Sequence, residues 1–291
     1  MTLRIGFFDS GVGGLSVLRY VKTYLEAEPA LKTYPLEYYY LLDRAGFPYG
    51  TKPEDFLNKR IVSLARDFLT VYKLDYLVLA CSTASTLSLD LLRQEFTLPI
   101  IGVVPAIKPA AAQSHTKCVA LLATAATVRR PYTHDLIRRF AADCRVLCIG
   151  SEALVKIAEA KMTGQPYDFA EAAQDLAPLR SDTEIDTLIF ACTHFPFLQD
   201  EILAYLQRPL LCLDPNLGVA KRLAALLQQS HPEYWDVESG ASGSTDTKGT
   251  EIRPPTRDAC LISTADLALS TELLVRWYHM FGFRRYVMGG P

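Results

Sequence analysis

Short apolar runs alternate with amphipathic stretches along almost the whole chain, and few folds accept that rhythm. Leu3 to Phe8, Tyr38 to Leu42, Tyr76 to Ala80, Ile100 to Val104, Cys118 to Ala123, Val146 to Ile149, Thr187 to Ala191 and Leu210 to Leu213 are the strand candidates. Runs of this kind are what a parallel sheet shows when helices cover both of its faces. Between the second and third runs, Leu57, Ile61, Leu64, Phe68 and Val71 recur at steps of four and three, which gives one helix an apolar face toward the sheet. Leu15, Leu18, Val21 and Leu25 repeat that pattern after the first run. The expected class is α/β with doubly wound parallel sheets.

An internal echo divides the chain. Asp75-Tyr-Leu-Val-Leu-Ala-Cys81-Ser-Thr83 matches Asp186-Thr-Leu-Ile-Phe-Ala-Cys192-Thr-His194 in apolar pattern and in the positions of Asp, Leu, Ala and Cys. A weaker echo pairs Arg4 to Ser10 with Cys118 to Thr124, each an apolar strand that ends at a small polar residue. Two pseudosymmetric domains follow, with the active site in the cleft between them. The first is assigned to 1–99 and 211–291, and the second to 100–210. Residues 236–258, rich in Ser, Gly and Thr and closed by Pro254-Pro255, bury no apolar surface and are expected to form a mobile surface loop. Leu261-Ile262 and an amphipathic stretch from Leu267 to Phe281 then return the chain to the fold.

With 30 Lys and Arg against 32 Asp and Glu, and a formal charge of −2, the surface is not built to grip nucleic acid or anionic lipid. The opening Met-Thr-Leu-Arg-Ile-Gly-Phe-Phe lacks the basic and apolar regions of a secretion signal, and no apolar segment reaches the length of a membrane span. Seven cysteines, none in a Cys-x-x-Cys pair, fit reduced thiols in the cytoplasm. A small-molecule partner is therefore expected, with no nucleic acid and no membrane.

Ligands of open parallel sheets bind beyond the carboxyl ends of the strands. Asp9-Ser10, Pro48-Tyr49-Gly50, Cys81-Ser82-Thr83, Thr124 to Thr127 and Cys192-Thr193-His194 all sit at such ends. If the halves face each other, Cys81 and Cys192 confront one another, one thiol on each face of a planar carbon. That is the arrangement for inverting a stereocentre: one base removes the α-proton while an acid delivers another to the opposite face. Helices expected after both cysteines should lower the thiol pKa toward neutrality and hold a substrate carboxylate. Cys118, Cys144, Cys148, Cys212 and Cys260 read instead as small core residues.

His194 suits a general acid or base beside Cys192, or a surface or capping histidine. Cys192-x-His194 supplies two zinc ligands, but no further ligands stand at a recognisable spacing, so no metal is expected. Asp9 precedes Gly11-Val-Gly13-Gly14, a turn like a phosphate-binding loop, which makes a dinucleotide-dependent oxidoreductase the competing reading. Ser16 occupies the place of the third glycine, and the Asp9 carboxylate would repel a pyrophosphate. It suits a substrate ammonium group, or a helix cap near Leu15. Pro48-Tyr49-Gly50 reads as a rigid turn whose amides and ring wall the substrate. Glu159, by its own pattern, is a solvated helix-face residue.

These segments together resemble glutamate racemase, within the aspartate/glutamate racemase superfamily. Phe8-Asp9-Ser10-Gly11-Val12-Gly13-Gly14-Leu15, Asp43 through Gly50, Ala80 to Ser85, Gly102 to Ala106, Ala123 to Thr127 and Ala191 to Pro196 carry the likeness. The resemblance implies a cofactor-independent isomerase that interconverts L- and D-glutamate and supplies D-glutamate for peptidoglycan, cell-wall biogenesis and cell shape, as a cytoplasmic homodimer. Aspartate racemase, or another amino-acid racemase of the superfamily, is the nearer alternative; a silent binding protein is the farther one. Carried over by position, Cys81 would deprotonate D-glutamate and Cys192 L-glutamate, with Asp9, His194 and Glu159 assisting. Asp9, Ser10, Pro48, Tyr49, Gly50, Ser82, Thr83, Thr124, Thr127, Thr193 and His194 would meet substrate. Where the family has Asn after the first cysteine this chain has Ser82, a shorter side chain with a single hydroxyl, so the contact there must change.

Overall fold

Two separate parallel sheets organise the chain, in a computed structural model that describes residues 2–31, 34–235 and 258–291. The first sheet takes β1 (Leu3–Asp9), β2 (Leu36–Leu42), β3 (Tyr76–Leu79) and β4 (Ile100–Gly102) from the first third of the chain. The second takes β5 (Cys118–Ala123), β6 (Arg145–Gly150), β7 (Thr187–Phe190) and β8 (Leu211–Leu213). β9 (Ala259–Ser263) and β10 (Phe283–Met288) then return to the first sheet, whose order is β10-β9-β2-β1-β3-β4. The second runs β6-β5-β7-β8, so four strands of each sheet share one order and one direction. The echo read in the sequence is thus an echo of topology. Even the strand-end bonds match: Ala80 N donates to Phe8 O at 2.8 Å, and Ala191 N to Leu122 O at 2.8 Å.

Helices cover both faces of each sheet. Leu3, Ile5 and Phe7 of β1 pack with α1 (Leu15–Ala27), α10 (Asn216–Ser230) and α11 (Thr271–Phe281). Phe8 points the other way, onto α2 (Glu54–Tyr72) and α3 (Ser82–Glu95). In the second lobe, α4 (Ile107–Gln113), α5 (Ala125–Arg129) and α6 (Pro131–Phe140) precede β6, and Val119 and Leu121 face the α4 and α6 side. Ala120 and Leu122 face α7 (Ala153–Thr163), α8 (Ala173–Ser181) and α9 (Gln199–Leu206). Each buried Leu, Ile or Phe of these layers contributes roughly 1.5–3 kcal/mol over its exposed state. The layers therefore hold the strand ends rigidly, and the site is built on those ends.

Several sequence expectations are corrected. β4 pairs with β3 and β8 with β7, so the lobe boundaries fall after 102 and after 213 rather than after 99 and 210. On α2 the stripe toward the sheet is Leu57, Ile61, Ala65 and Phe68, while Val71 is 57% exposed. Cys118, Cys144, Cys148 and Cys212 are only partly buried, because β6 and β8 are edge strands, Cys144 lies in the turn before β6 and Cys118 opens β5. Cys260 is buried as expected. The loop expected at 236–258 lies, but for Asp258, outside the described residues.

Candidate active site

β3 ends at Leu79, and the chain turns through Ala80 so that Cys81 becomes the residue before the first turn of α3. Its sulfur lies 3.8 Å from Ser10 Oγ. Ser10 follows β1, and its hydroxyl donates to Asp9 Oδ1 at 3.3 Å. Asp9 does not cap α1, whose first turn has no side-chain cap. Instead Oδ1 accepts Gly11 N at 3.1 Å and Oδ2 accepts the Thr193 hydroxyl at 3.0 Å, across the cleft. Burial outweighs these bonds and pushes the Asp9 carboxyl up from its usual range.

On the facing wall β7 ends at Phe190, and Cys192-Thr193-His194 follows at once. The expected α-helix does not start there: a 3₁₀ turn, Phe195–Leu198, intervenes, with Pro196 in its first turn. Cys192 has a side-chain partner instead, His194 Nδ1 at 3.7 Å. His194 Nε2 lies 2.7 Å from Glu159 Oε1, and that oxygen also accepts Val12 N at 2.7 Å. Burial pulls the imidazole pKa down, but the bonds to Cys192 and Glu159 prevail and hold it well above the ordinary histidine range. A protonated ring then donates to both neighbours, Nδ1 toward sulfur and Nε2 toward carboxylate.

Glu159 is buried at 5% exposure, not a solvated face. The side of α7 that carries it is covered by the other lobe, which supplies Val12 N and Arg44, whose Nη1 lies 3.3 Å from Oε2. Arg44 also sits 5.2 Å over the Phe47 ring, and that ring is 6.1 Å from His194. Neither Arg44 nor Phe47 was singled out by the sequence, though both lie in the Asp43-to-Gly50 segment that drew attention.

Ser10, Pro48, Tyr49, Gly50, Cys81, Ser82, Thr83, Thr124, Cys192, Thr193 and His194 all border one cavity. Asp9 and Glu159 stand behind this lining, each bonded to a residue of it. Thr127 is also absent from it; its hydroxyl accepts from Thr124 Oγ1 at 3.0 Å and it is fully buried. The space is about 20 Å³, room for one water-sized group. An amino acid needs more, so its admission requires the walls to part.

The Cys81 thiol departs from expectation. Burial, and then the Asp9 charge, push its pKa up, although Ala84 N–H at the start of α3 and the Ser10 hydroxyl pull the other way. Desolvation of a thiol on a residue only 6% exposed outweighs the helix terminus that was expected to bring it toward neutrality. Ser82 is notable for what it lacks: its hydroxyl is buried and has no hydrogen-bond partner in the protein.

The glycine turn is filled by protein. A Cβ on Gly13 would lie 2.5 Å from both His194 Nδ1 and Thr193 Oγ1, and one on Gly14 would lie 2.9 Å from Asp9 Oδ2. Gly13 thus lets the lobes close on each other and Gly14 lets the turn pack down on its own sheet, and the turn offers no seat for a pyrophosphate. Among the described residues no set of three or more His, Cys, Asp or Glu side chains is placed to hold a metal ion. No helix among them is long and apolar enough to cross a membrane.

Fold and site together define a two-lobed α/β protein with one thiol from each lobe on a shared, closed cavity. The chain belongs to the Asp/Glu/hydantoin racemase family, whose model matches residues 13–221, and is thereby an isomerase. It is 45% identical over 227 residues to a glutamate racemase of Salmonella gallinarum, covering 78% of this chain and 77% of that one. It is 40% identical over 277 residues to one of Klebsiella pneumoniae, covering 95% and 88%. The crystal structure of Escherichia coli glutamate racemase with L-glutamate and the activator UDP-MurNAc-Ala superposes with a TM-score of 0.80 at 36% identity, over 99% of this chain and 98% of that one.

Proposed function

We propose that this protein is a glutamate racemase that interconverts L- and D-glutamate without a cofactor, through Cys81 and Cys192. The observation that carries the reading is that these two thiols, from equivalent strand ends of opposite lobes, border one cavity. Relatives at 40–45% identity bear that name.

In the L-to-D direction Cys192, as thiolate beside the His194 imidazolium, takes the α-proton. The C–H electron pair passes into the α-carboxylate, leaving a planar carbon. Cys81 then gives its S–H proton to the other face, and ends as the thiolate. The reverse direction exchanges these roles. The raised pKa of Cys81 fits a resting thiol ready to donate, and the raised pKa of His194 fits a resting cation next to Cys192. Asp9, already bonded to Ser10 and Thr193, is placed to receive the substrate ammonium or to orient the proton of Cys81. Glu159 holds His194 and acts through it.

Ser82, with its unpartnered buried hydroxyl, and Ser10, Thr83 and Thr193 face the substrate's polar head; Pro48, Tyr49, Gly50 and Thr124 enclose the rest. Thr127 supports Thr124 from behind. The reading further makes the protein a cytoplasmic homodimer that feeds D-glutamate to peptidoglycan and so serves cell shape. Light scattering tests the dimer.

The decisive experiment follows circular dichroism with L-glutamate, D-glutamate and L-aspartate on chelator-treated, cofactor-free protein in D2O. Racemisation of glutamate with solvent deuterium at Cα is the expected result. Turnover of aspartate alone, or turnover that requires an added cofactor, refutes it.

A further inference from the structure

Outside the thiol cavity lies an open cleft of about 670 Å³, lined in part by Lys52, Arg129 and Arg130 and by Glu54, whose Oε1 pairs with Arg130 Nη1 at 2.9 Å. The two spaces share only Tyr49, Gly50 and Glu152 among the residues that line them. A molecule that moves from this cleft to the thiols therefore passes between the Tyr49–Gly50 turn of the first lobe and Glu152 of the second. Glu152 precedes α7 and is half-buried. Its Oε1 accepts Ala125 N at 3.2 Å. A Cβ on Gly50 would lie 3.1 Å from Oε1 and 3.3 Å from Oε2, so the carboxylate stands against the face of the turn. No step of the proton transfer uses this group.

We propose that Glu152 is a charge gate, a specificity-determining residue that sets how readily an acidic substrate reaches Cys81 and Cys192. The inference rests on the reading of glutamate as substrate. Lys52, Arg129 and Arg130 outnumber Glu54 on the cleft wall, so its surplus positive charge draws a dicarboxylate inward, and the gate carboxylate opposes it at the narrowest point. Glu152 must swing from Ala125 N for the substrate to pass. A neutral side chain of the same size removes the repulsion and leaves the packing, so the change appears in KM and not in the chemical step.

The test uses the full chain with Glu152→Gln, and Glu152→Ala beside it. For glutamate, KM falls at least threefold in Glu152→Gln while kcat stays within twofold of the parent. An independent arm needs no racemase activity: alkylation of Cys81 and Cys192, followed by peptide mass, with anionic iodoacetate and neutral iodoacetamide. The gate requires Glu152→Gln to speed iodoacetate at least threefold more than iodoacetamide. An unchanged or raised KM in both variants overturns the gate, and so does equal acceleration of the two reagents, which would mark simple loosening. Failure of the parent to turn over glutamate sinks the substrate reading instead, and the alkylation ratio then decides the gate alone.

Discussion

Asp43→Asn tests whether the turn that walls the site is held by a buried charge. Asp43 is fully buried at the end of β2. It accepts Arg60 Nε at 2.6 Å and Nη2 at 2.5 Å, Tyr49 OH at 2.7 Å and Thr264 Oγ1 at 2.7 Å. Asparagine keeps the shape but turns an acceptor into a donor, so Arg60 or Tyr49 loses its partner and the guanidinium loses its counter-charge. Removing one member of a buried pair costs on the order of 3–5 kcal/mol. Arg60 is 26% exposed and recovers some hydration, which puts the expected loss at the lower end, about 3 kcal/mol. With an unfolding entropy of about 2.1 cal/mol/K per residue, that lowers the Tm of a 291-residue chain by roughly 5 °C. Calorimetry and urea unfolding measure it. Burial raises the Asp43 pKa, but Arg60, Tyr49 and Thr264 prevail and hold it below the ordinary carboxylate value. Its stabilisation is thus present above about pH 4 and lost as pH falls through the lower folded value. The parent should show this acid slope and Asp43→Asn should lack it. A loss under about 1 kcal/mol, with the acid slope unchanged, would refute the reasoning.

Cys81→Ala and Cys192→Ala should each lower racemisation by about 10³-fold or more, since each removes an acid/base group and the other cannot reach both faces; polarimetry at matched enzyme reads this, and retention of a tenth of the activity contradicts it. Glu159→Gln should lower kcat roughly tenfold or more with a smaller change in KM, because it frees His194 rather than the substrate. The folded pKa of His194 lies above its unfolded value, so its stabilisation is complete below about pH 6.5 and lost as pH rises through the folded value. His194→Gln should remove that alkaline decline from urea midpoints, and an unaltered decline would assign it elsewhere. Trp277→Ala, at a residue 1% exposed whose Nε1 donates to Met162 O at 3.2 Å, should cost about 3–5 kcal/mol, measured by urea unfolding.

The strands and the paired cysteines were legible because both obey local rules: apolar runs bounded by turns, and a repeat that recurs with its chemistry attached. What escaped depends on where the lobes meet. Glu159 reads as solvated because its own helix says nothing of the lobe that covers it. Glu152 carries no signal, since its neighbours Ser151 and Ala153 give it no context. The 3₁₀ turn after Cys192 follows from Pro196, whose ring disfavours the α conformation for Phe195 before it. β10 was missed because Arg284 and Arg285 interrupt its apolar character, which an exposed edge strand permits; five of its residues are exposed. At Cys81 the sequence shows the helix terminus but not the burial, and desolvation by burial is the larger effect.

One segment of the second lobe explains why the site forms only when the lobes are closed. The residues from Glu152 through α7 touch the first lobe along their length: Glu152 faces Gly50, Glu159 accepts Val12 N and Arg44, and Met162 O accepts Trp277. From the same lobe, Thr193 O accepts Ser16 Oγ of the first lobe at 3.0 Å, while the Thr193 hydroxyl reaches Asp9. The group behind each cysteine is therefore anchored by the other cysteine's lobe. Separating the lobes to admit an amino acid breaks the bonds that orient Asp9 and Glu159, and closing remakes them around the bound molecule. On the proposed mechanism proton transfer is then confined to the closed state, where both cysteines are buried and the planar intermediate is shielded from bulk water.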